Sequence, residues 1–331
     1  MVRIATLLPS ATEIVCALGL ADRIVGVTHE CDYPPEIRGR PRVVRAKIDS
    51  AALTSAEIDA QVARALSEGQ SLYEIDADAL RASRPDLLIT QDLCDVCALP
   101  GDDIESIAHA LPGPPNVLRL HPHSLADILG DILSVGEATG RAAEARRVVA
   151  GLRARIARVE ASARGRVRPR VCCLEWTDPP FCAGHWVPEM VALAGGEDVI
   201  GRAGRPSFRV EWAAIAAANP EVVVLMPCGY SLEQARREGV ALAARPEWRA
   251  LVATAAGRVY ATDANAFFSR SGPRVVDGVE ILGAMLHPEA AAWTTPPGSW
   301  AALSPPLPTE PSREPAVAPP SPPRAVPRLR D

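Results

Sequence analysis

The chain has 331 residues, 48% of them hydrophobic, which is enough apolar material for two globular lobes with their own cores. Its formal net charge of −5 does not favour binding to nucleic acid or to an anionic membrane surface. The sequence shows no basic leader followed by an apolar run of signal length, and no stretch of about 18 apolar residues. We therefore predict a cytoplasmic protein without a membrane-spanning segment.

The first 123 residues alternate strand and helix patterns, which predicts an N-terminal α/β lobe with a parallel sheet. The predicted strands are Ile4–Leu8, Ile24–Val27, Pro85–Thr90 and Val117–Leu120, and the predicted helices are Thr54–Glu68, Asp76–Ser83 and Gly101–Ala110. After the first strand, Ser10 and Glu13 have the spacing of a capping box, so we expect Ser10 to cap a helix that ends near Gly19.

Residues 124–163 contain no proline and repeat apolar side chains at helical spacing, which predicts one long connecting helix that Gly136 and Gly140 could bend. A second α/β lobe is predicted over residues 164–292. Its strands are Val171–Leu174, Val222–Met226 and Val259–Thr262, and its last helix is Val275–Leu286. Residues 293–331 are rich in proline, which predicts a disordered tail.

Two polar loops follow predicted strands of the first lobe and should open onto one cleft, because the carboxyl ends of parallel strands face the same edge of a sheet. They contain His29, Cys31, Cys94 and Cys97, a possible set of three thiolates and one imidazole that favours zinc or an iron–sulfur centre. Two other interpretations stay open. Cys94 and Cys97 could form a redox dithiol, or all four side chains could be partly buried loop residues without a metal.

Eight short segments follow one another in a known order over about residues 1–290. They are Ile4–Ile14, Leu18–Gly19, Val25–Thr28, Pro85–Ile89, Ala183–Met190, Ala194–Gly196, Asn219–Val224 and Phe267–Arg274. Together they resemble the cobalamin- and iron-siderophore-binding proteins of ABC importers. The segments Ala183–Met190 and Phe267–Arg274 are most similar to the cobalamin-binding members.

This resemblance implies two doubly wound α/β lobes joined by a single long rigid helix, with a ligand cleft between the lobes. It also implies docking on an ABC permease through one acidic residue on each lobe. By position, the N-terminal acid is Asp78, whereas its C-terminal counterpart falls on Ala213, with Glu211 close by. The second position departs from the family pattern.

The resemblance gives the polar and aromatic residues of the predicted cleft a ligand-binding role. The candidates are His29, Asp32, Asp92, Glu175, Trp176, His185, Trp186 and Arg270. His29 or a cysteine would coordinate the cobalt of a corrinoid, and carboxylates would bind its amide fringe. Trp176 and Trp186 would supply flat apolar walls. The alternatives are helix capping for the acids, core packing for the tryptophans, and pairing with helix carboxylates for Arg270.

The leading interpretation is therefore a non-catalytic protein that binds a corrinoid (cobalamin-like) or related metal chelate between its lobes. Its role would be ABC-type uptake, or sequestration and delivery in the cytoplasm. The alternative is a metalloprotein or redox enzyme with a zinc or iron–sulfur site at His29, Cys31, Cys94 and Cys97. The sequence contains no Gly-x-Ser-x-Gly, P-loop, Gly-x-Gly-x-x-Gly or His-Glu-x-x-His motif, so we predict no enzyme activity.

Overall fold

A computed structural model describes residues 2–49, 53–92, 101–290, 293 and 295–303 and shows a mixed α/β protein with one sheet in each of two lobes. The elements of the N-terminal lobe are β1 (Ile4–Thr6), α1 (Pro9–Ala17), β2 (Ile24–Thr28), β3 (Arg42–Ala46), α2 (Ser55–Ser67), β4 (Tyr73–Ile75), α3 (Ala77–Ser83), β5 (Leu87–Gln91), α4 (Gly101–Ala110) and β6 (Asn116–Leu120). The strand order is β4-β3-β2-β1-β5-β6, and only β4 runs antiparallel to its neighbour.

The segment predicted as one helix over residues 124–163 forms two helices, α5 (Leu125–Ala138) and α6 (Ala142–Ala163). The chain turns between them at Gly140, whose φ of +70° lies in the left-handed region. Helix α5 packs against α1 and β6 of the first lobe, whereas α6 packs against α13 of the second. The 22-residue helix α6 therefore carries the chain from the first lobe to the second.

The C-terminal lobe follows α6. Its elements are β7 (Arg170–Thr177), β8 (Pro180–Cys182), α7 (Val187–Leu193), β9 (Glu197–Asp198), β10 (Phe208–Arg209), α8 (Trp212–Ala218), β11 (Val222–Leu225), α9 (Leu232–Leu242), α10 (Pro246–Arg249), α11 (Val252–Ala255), β12 (Val259–Thr262), α12 (Ala264–Phe267), α13 (Val275–Leu286) and β13 (Trp300–Ala302). Strands β7, β11 and β12 are parallel, as predicted. Strands β8 and β13 add antiparallel neighbours to this group, and β9 pairs with β7.

The end of the described chain belongs to this lobe rather than to a separate tail. Strand β13 pairs with β12, and Leu303 packs against Gly239 of α9. The predicted tail over residues 293–331 therefore has its first residues in the C-terminal sheet, and residues 304–331 lie outside the described part. Among the described residues, no helix combines the length and hydropathy needed to cross a membrane.

Candidate functional site

The two lobes meet where their parallel strands end. From the N-terminal lobe, Ser10 follows β1, Ser55 follows β3, and Leu125 follows β6. Each makes a hydrogen bond to the C-terminal lobe. The carboxyl ends of the strands are where ligands bind in open α/β sheets, so these contacts mark the cleft.

A buried ionic network crosses the centre of the cleft. Arg270 donates to Glu13 Oε1 (3.1 Å) and to Asp32 Oδ1 (2.7 Å), and Arg274 donates to both oxygens of Glu13 (2.9 and 2.6 Å). The side chains of Arg270 and Glu13 are only 5% and 2% exposed. Arg270 was a candidate for binding a ligand anion. In this structure its guanidinium is held by two carboxylates, which is the structural alternative.

Glu13 does not form the expected capping box. Helix α1 begins at Pro9, one residue before Ser10, and its N-cap residue Leu8 makes no side-chain cap. Proline suits the first turn of a helix because its missing N–H would have no partner there. Ser10 instead accepts a hydrogen bond from Ser271, and Glu13 pairs with the two arginines. Both residues thus contact the other lobe.

A second contact lies on the β3 side of the cleft and involves Trp176. Its indole Nε1 donates to the carbonyl of Ser55 at 3.1 Å, and its ring packs edge-on against Tyr230 with 5.2 Å between ring centres. The Tyr230 hydroxyl lies 3.4 Å from Ser55 Oγ. Burial raises the pKa of Tyr230, so the phenol is protonated at neutral pH and its O–H remains a donor. Trp176 is half-buried and lies between the lobes, and its role in ligand binding stays a prediction.

A third contact between the lobes lies on the β6 side of the cleft and is formed by histidines, of which only His185 was predicted. His185 has φ +49° and stacks on His123 with 6.1 Å between ring centres. His123 Nε2 in turn lies 2.9 Å from His121 Nε2. Burial and the neighbouring His123 lower the pKa of His185, and burial raises the pKa of the nearby Asp131 to about 7. His185 was predicted as a cleft residue, whereas His121 and His123 were not, although two histidines with one residue between them at a strand end were a visible signal.

The other candidate ligand residues differ in their surroundings. His29 and Asp92 are exposed, and Glu175 is half-buried and accepts a hydrogen bond from the Gly184 amide at 3.3 Å. Trp186 is only 5% exposed, packs in the largest core cluster and donates to the carbonyl of Phe268. In this conformation Trp186 presents no open face to the cleft, which matches the alternative of core packing.

The predicted metal set is not assembled by the residues that the structure describes. Cys31 is buried, and its thiol contacts Thr12 Oγ1 at 3.0 Å and Thr28 Oγ1 at 3.3 Å. Burial raises the pKa of Cys31, which disfavours the thiolate that a metal needs. Cys94 and Cys97 lie outside the described residues. Within the described part, no three His, Cys, Asp or Glu side chains surround a common point.

The predicted permease contacts are both on the surface. Asp78 is 93% exposed and pairs with Arg81 at 2.6 Å, and Ala213 is exposed on α8. A shallow depression of about 450 Å³, lined by Leu18, Arg141 and Arg147, lies where α1 meets the start of α6. This depression contains none of the candidate residues and is remote from the carboxyl ends of the strands, so we do not assign it to the candidate site.

Two lobes of this topology, joined by one helix and meeting at their strand ends, define a bilobal binding protein. The chain belongs to the Periplasmic binding protein family, whose sequence pattern matches residues 4–266. It is 24% identical over 298 residues to the Bacillus subtilis uncharacterized ABC transporter substrate-binding lipoprotein YvrC, covering 87% of this chain and 80% of the relative.

Solved structures show the same fold. The chain matches the periplasmic heme-binding protein from Pseudomonas aeruginosa with a TM-score of 0.69 and 21% identity, covering 91% of this chain and 98% of that one. It matches the periplasmic vitamin B12 binding protein BtuF of Vibrio cholerae with a TM-score of 0.62 and 21% identity, covering 88% and 98%. The predicted family and fold class are confirmed.

The prediction of a cytoplasmic protein is wrong. The matched family is that of periplasmic binding proteins, and the relatives are named as a lipoprotein and as periplasmic proteins.

Proposed function

We propose that this chain is the substrate-binding component of an ABC importer and that it holds a corrinoid or a related metal chelate between its lobes. Its family supports a non-catalytic binding role. Solved relatives are named for vitamin B12, for heme and for Fe³⁺-hydroxamate transport, and all of these ligands carry a chelated metal.

The charge balance of the cleft favours the corrinoid within this group. Arg270 and Arg274, the two arginines at the centre of the cleft, are both paired with Glu13. Asp92 is exposed at the end of β5, and Asp32, although paired with Arg270, is still 50% exposed. Carboxylates accept hydrogen bonds from amides but repel other carboxylates. This lining therefore suits the amide-rich edge of a corrin better than the two carboxylates of a heme.

Trp176 supplies the apolar surface of the proposed site. It sits between Ser55 of the first lobe and Tyr230 of the second, so a flat ligand that enters the cleft meets its indole ring. Docking on a permease would use the exposed Asp78. The counterpart acid is absent at Ala213, and Glu211, exposed at the start of α8, is the nearest substitute.

The test is calorimetric titration of the purified full chain with cyanocobalamin, hemin and a ferric hydroxamate. We expect cyanocobalamin to bind one per chain, and Trp176→Ala to weaken binding about tenfold, which corresponds to about 1.4 kcal/mol. Trp293→Ala is the matched control because Trp293 packs against Gly283 of α13, away from the strand ends. Binding of hemin or the hydroxamate without binding of cyanocobalamin would overturn the proposal.

A further inference from the structure

Three histidines from both lobes form a cluster at the β6 edge of the cleft. His121 and His123 follow β6 of the first lobe, and His185 follows β8 of the second. The ring planes of His121 and His123 are 81° apart, with 4.5 Å between ring centres, and the ring centre of His185 lies 6.1 Å from that of His123.

The cluster contains several buried polar atoms that have no hydrogen-bond partner among the described residues. They are His123 Nδ1, His185 Nε2 and Asp131 Oδ2. A buried donor or acceptor without a partner costs free energy, so native proteins usually satisfy such atoms with a water molecule or an ion. The three atoms, two on imidazole rings and one on a carboxylate, are of the kind that bind transition-metal ions.

We propose that His121, His123 and His185 bind one divalent transition-metal ion of the zinc, nickel or copper class, with Asp131 as an additional oxygen donor. Neutral imidazole is a good ligand for these ions, and a carboxylate completes common zinc sites. The site is distinct from the corrinoid site proposed above and does not depend on it.

The spacing of the rings fits a shared ion. Two imidazoles that bind one ion at about 2.1 Å have ring centres no more than about 6.5 Å apart, since each ring centre lies about 3.2 Å from the metal. The separations of His121 from His123 and of His123 from His185 fall within this limit. The 2.9 Å between the Nε2 atoms of His121 and His123 is close to the spacing of two adjacent ligands.

The rings must turn for all three to point at one ion. No three metal-binding side chains among the described residues surround a common point. The rings of His123 and His185 are stacked with 26° between their planes, so the in-plane lone pairs of their nitrogens do not converge until one ring turns. His121 is exposed, so its ring is free to rotate about its side-chain bonds. Asp127 on the same edge accepts from the His123 amide at 3.0 Å and adds negative charge near the cluster.

Metal binding here would fasten the two lobes together, because the ligands come from both. A neighbouring hydrogen bond already links the two lobes without a metal, since the Leu125 amide of the first lobe donates to Glu189 of the second at 2.9 Å. An ion held by His123 and His185 would strengthen this edge of the cleft.

Calorimetric titration of the EDTA-treated full chain with zinc chloride and nickel chloride tests the proposal. We expect one ion per chain, and at least tenfold weaker binding in each of His121→Gln, His123→Gln and His185→Gln. The control is His109→Gln on α4, where the imidazole contacts only the Glu105 carbonyl among the described groups. His121→Gln is the safest variant because His121 is exposed, so its folding should be unaffected.

Two results would overturn the proposal. One is absence of binding by the unmodified chain. The other is binding that survives the histidine substitutions but is lost in Cys94→Ala/Cys97→Ala, which would assign the ion to the cysteines. Thermal unfolding of each variant without metal separates a lost ligand from a lost fold.

Discussion

Glu13 and Arg270 form a buried ion pair across the two lobes, although they are 257 positions apart in the chain. Glu13 also binds Arg274, so one carboxylate holds two guanidinium groups. Arg274 in turn lies over the ring of Tyr33 at 4.0 Å, which adds a cation–π contact to the same junction.

We expect Glu13→Ala to destabilise the protein strongly. Removing one partner of a buried ion pair leaves uncompensated charge and costs about 3–5 kcal/mol. Urea unfolding followed by circular dichroism measures the loss. The control is Asp78→Ala, which breaks an exposed pair with Arg81 worth about 0–1 kcal/mol. Equal losses in both variants would show that the central network does not hold the lobes.

Asp198 gives a prediction for pH. Burial raises the pKa of the Asp198 carboxyl above its value in the unfolded chain. The hydrogen bonds from the amides of Gly201 and Ile200 lower this pKa, but by less than burial raises it. The folded state thus favours the protonated form. The contribution of the Asp198 carboxyl to stability is therefore present below its pKa in the unfolded chain, about 3.9. This contribution is lost as the pH rises through its pKa in the folded protein.

Asp198→Asn should therefore become more stable relative to the unmodified protein as the pH rises from 4 to 7. Each unit by which the pKa is raised corresponds to about 1.4 kcal/mol of this difference. The measurement is the free energy of unfolding of both proteins at several pH values. A difference that does not change with pH would mean that the carboxyl is ionised in the folded state without penalty.

Two glycines should respond in opposite directions to alanine. A Cβ at Gly184 would lie 2.3 Å from the Arg205 carbonyl oxygen, and because this is backbone, it cannot move aside cheaply. We expect Gly184→Ala to cost about 1–3 kcal/mol, as overpacking does. Gly151 lies on the exposed side of α6 with open space around it, so Gly151→Ala should stabilise by about 0.5–1 kcal/mol. Melting temperatures that move the same way would contradict the assigned contacts.

The last strand should be required for the stability of the C-terminal lobe. A chain that ends at residue 292 loses the β12–β13 pairing and the packing of Leu303 on α9. A chain that ends at residue 303 keeps both and serves as the control. We expect a lower melting temperature for the shorter chain, measured by calorimetry. Identical melting would show that β13 contributes nothing.

The longer buried parallel strands, such as β5 and β11, were predictable because each is a continuous apolar run that ends in a polar loop, whereas the parallel strand β3 was missed because arginines interrupt its apolar residues. Strands β4, β8, β9 and β10 were missed, since they have only two or three residues and their sequences carry no apolar period. The tail boundary was placed too early because proline content rises before β13, and an edge strand tolerates nearby prolines.

The candidate site was less predictable than the fold. Local spacing made Glu13 look like the partner of Ser10, and only the tertiary structure shows that Arg270 and Arg274 are its partners. Trp176 and Trp186 have similar sequence surroundings, but one lies between the lobes and the other in the core. A pattern can indicate that a residue follows a strand, but not which direction its side chain takes.

The contact between Ser55 and Trp176 has a consequence for how the cleft admits a ligand. Ser55 lies on the β3 side of the N-terminal sheet, whereas Glu13 lies beside the central strand β1. Neutral hydrogen bonds are weaker than charge-assisted ones, so the Ser55 side separates at lower cost than the arginine network. We therefore expect the two lobes to separate first at the contact between Ser55 and Trp176, while the ionic network of Glu13, Arg270 and Arg274 keeps the centre of the cleft closed.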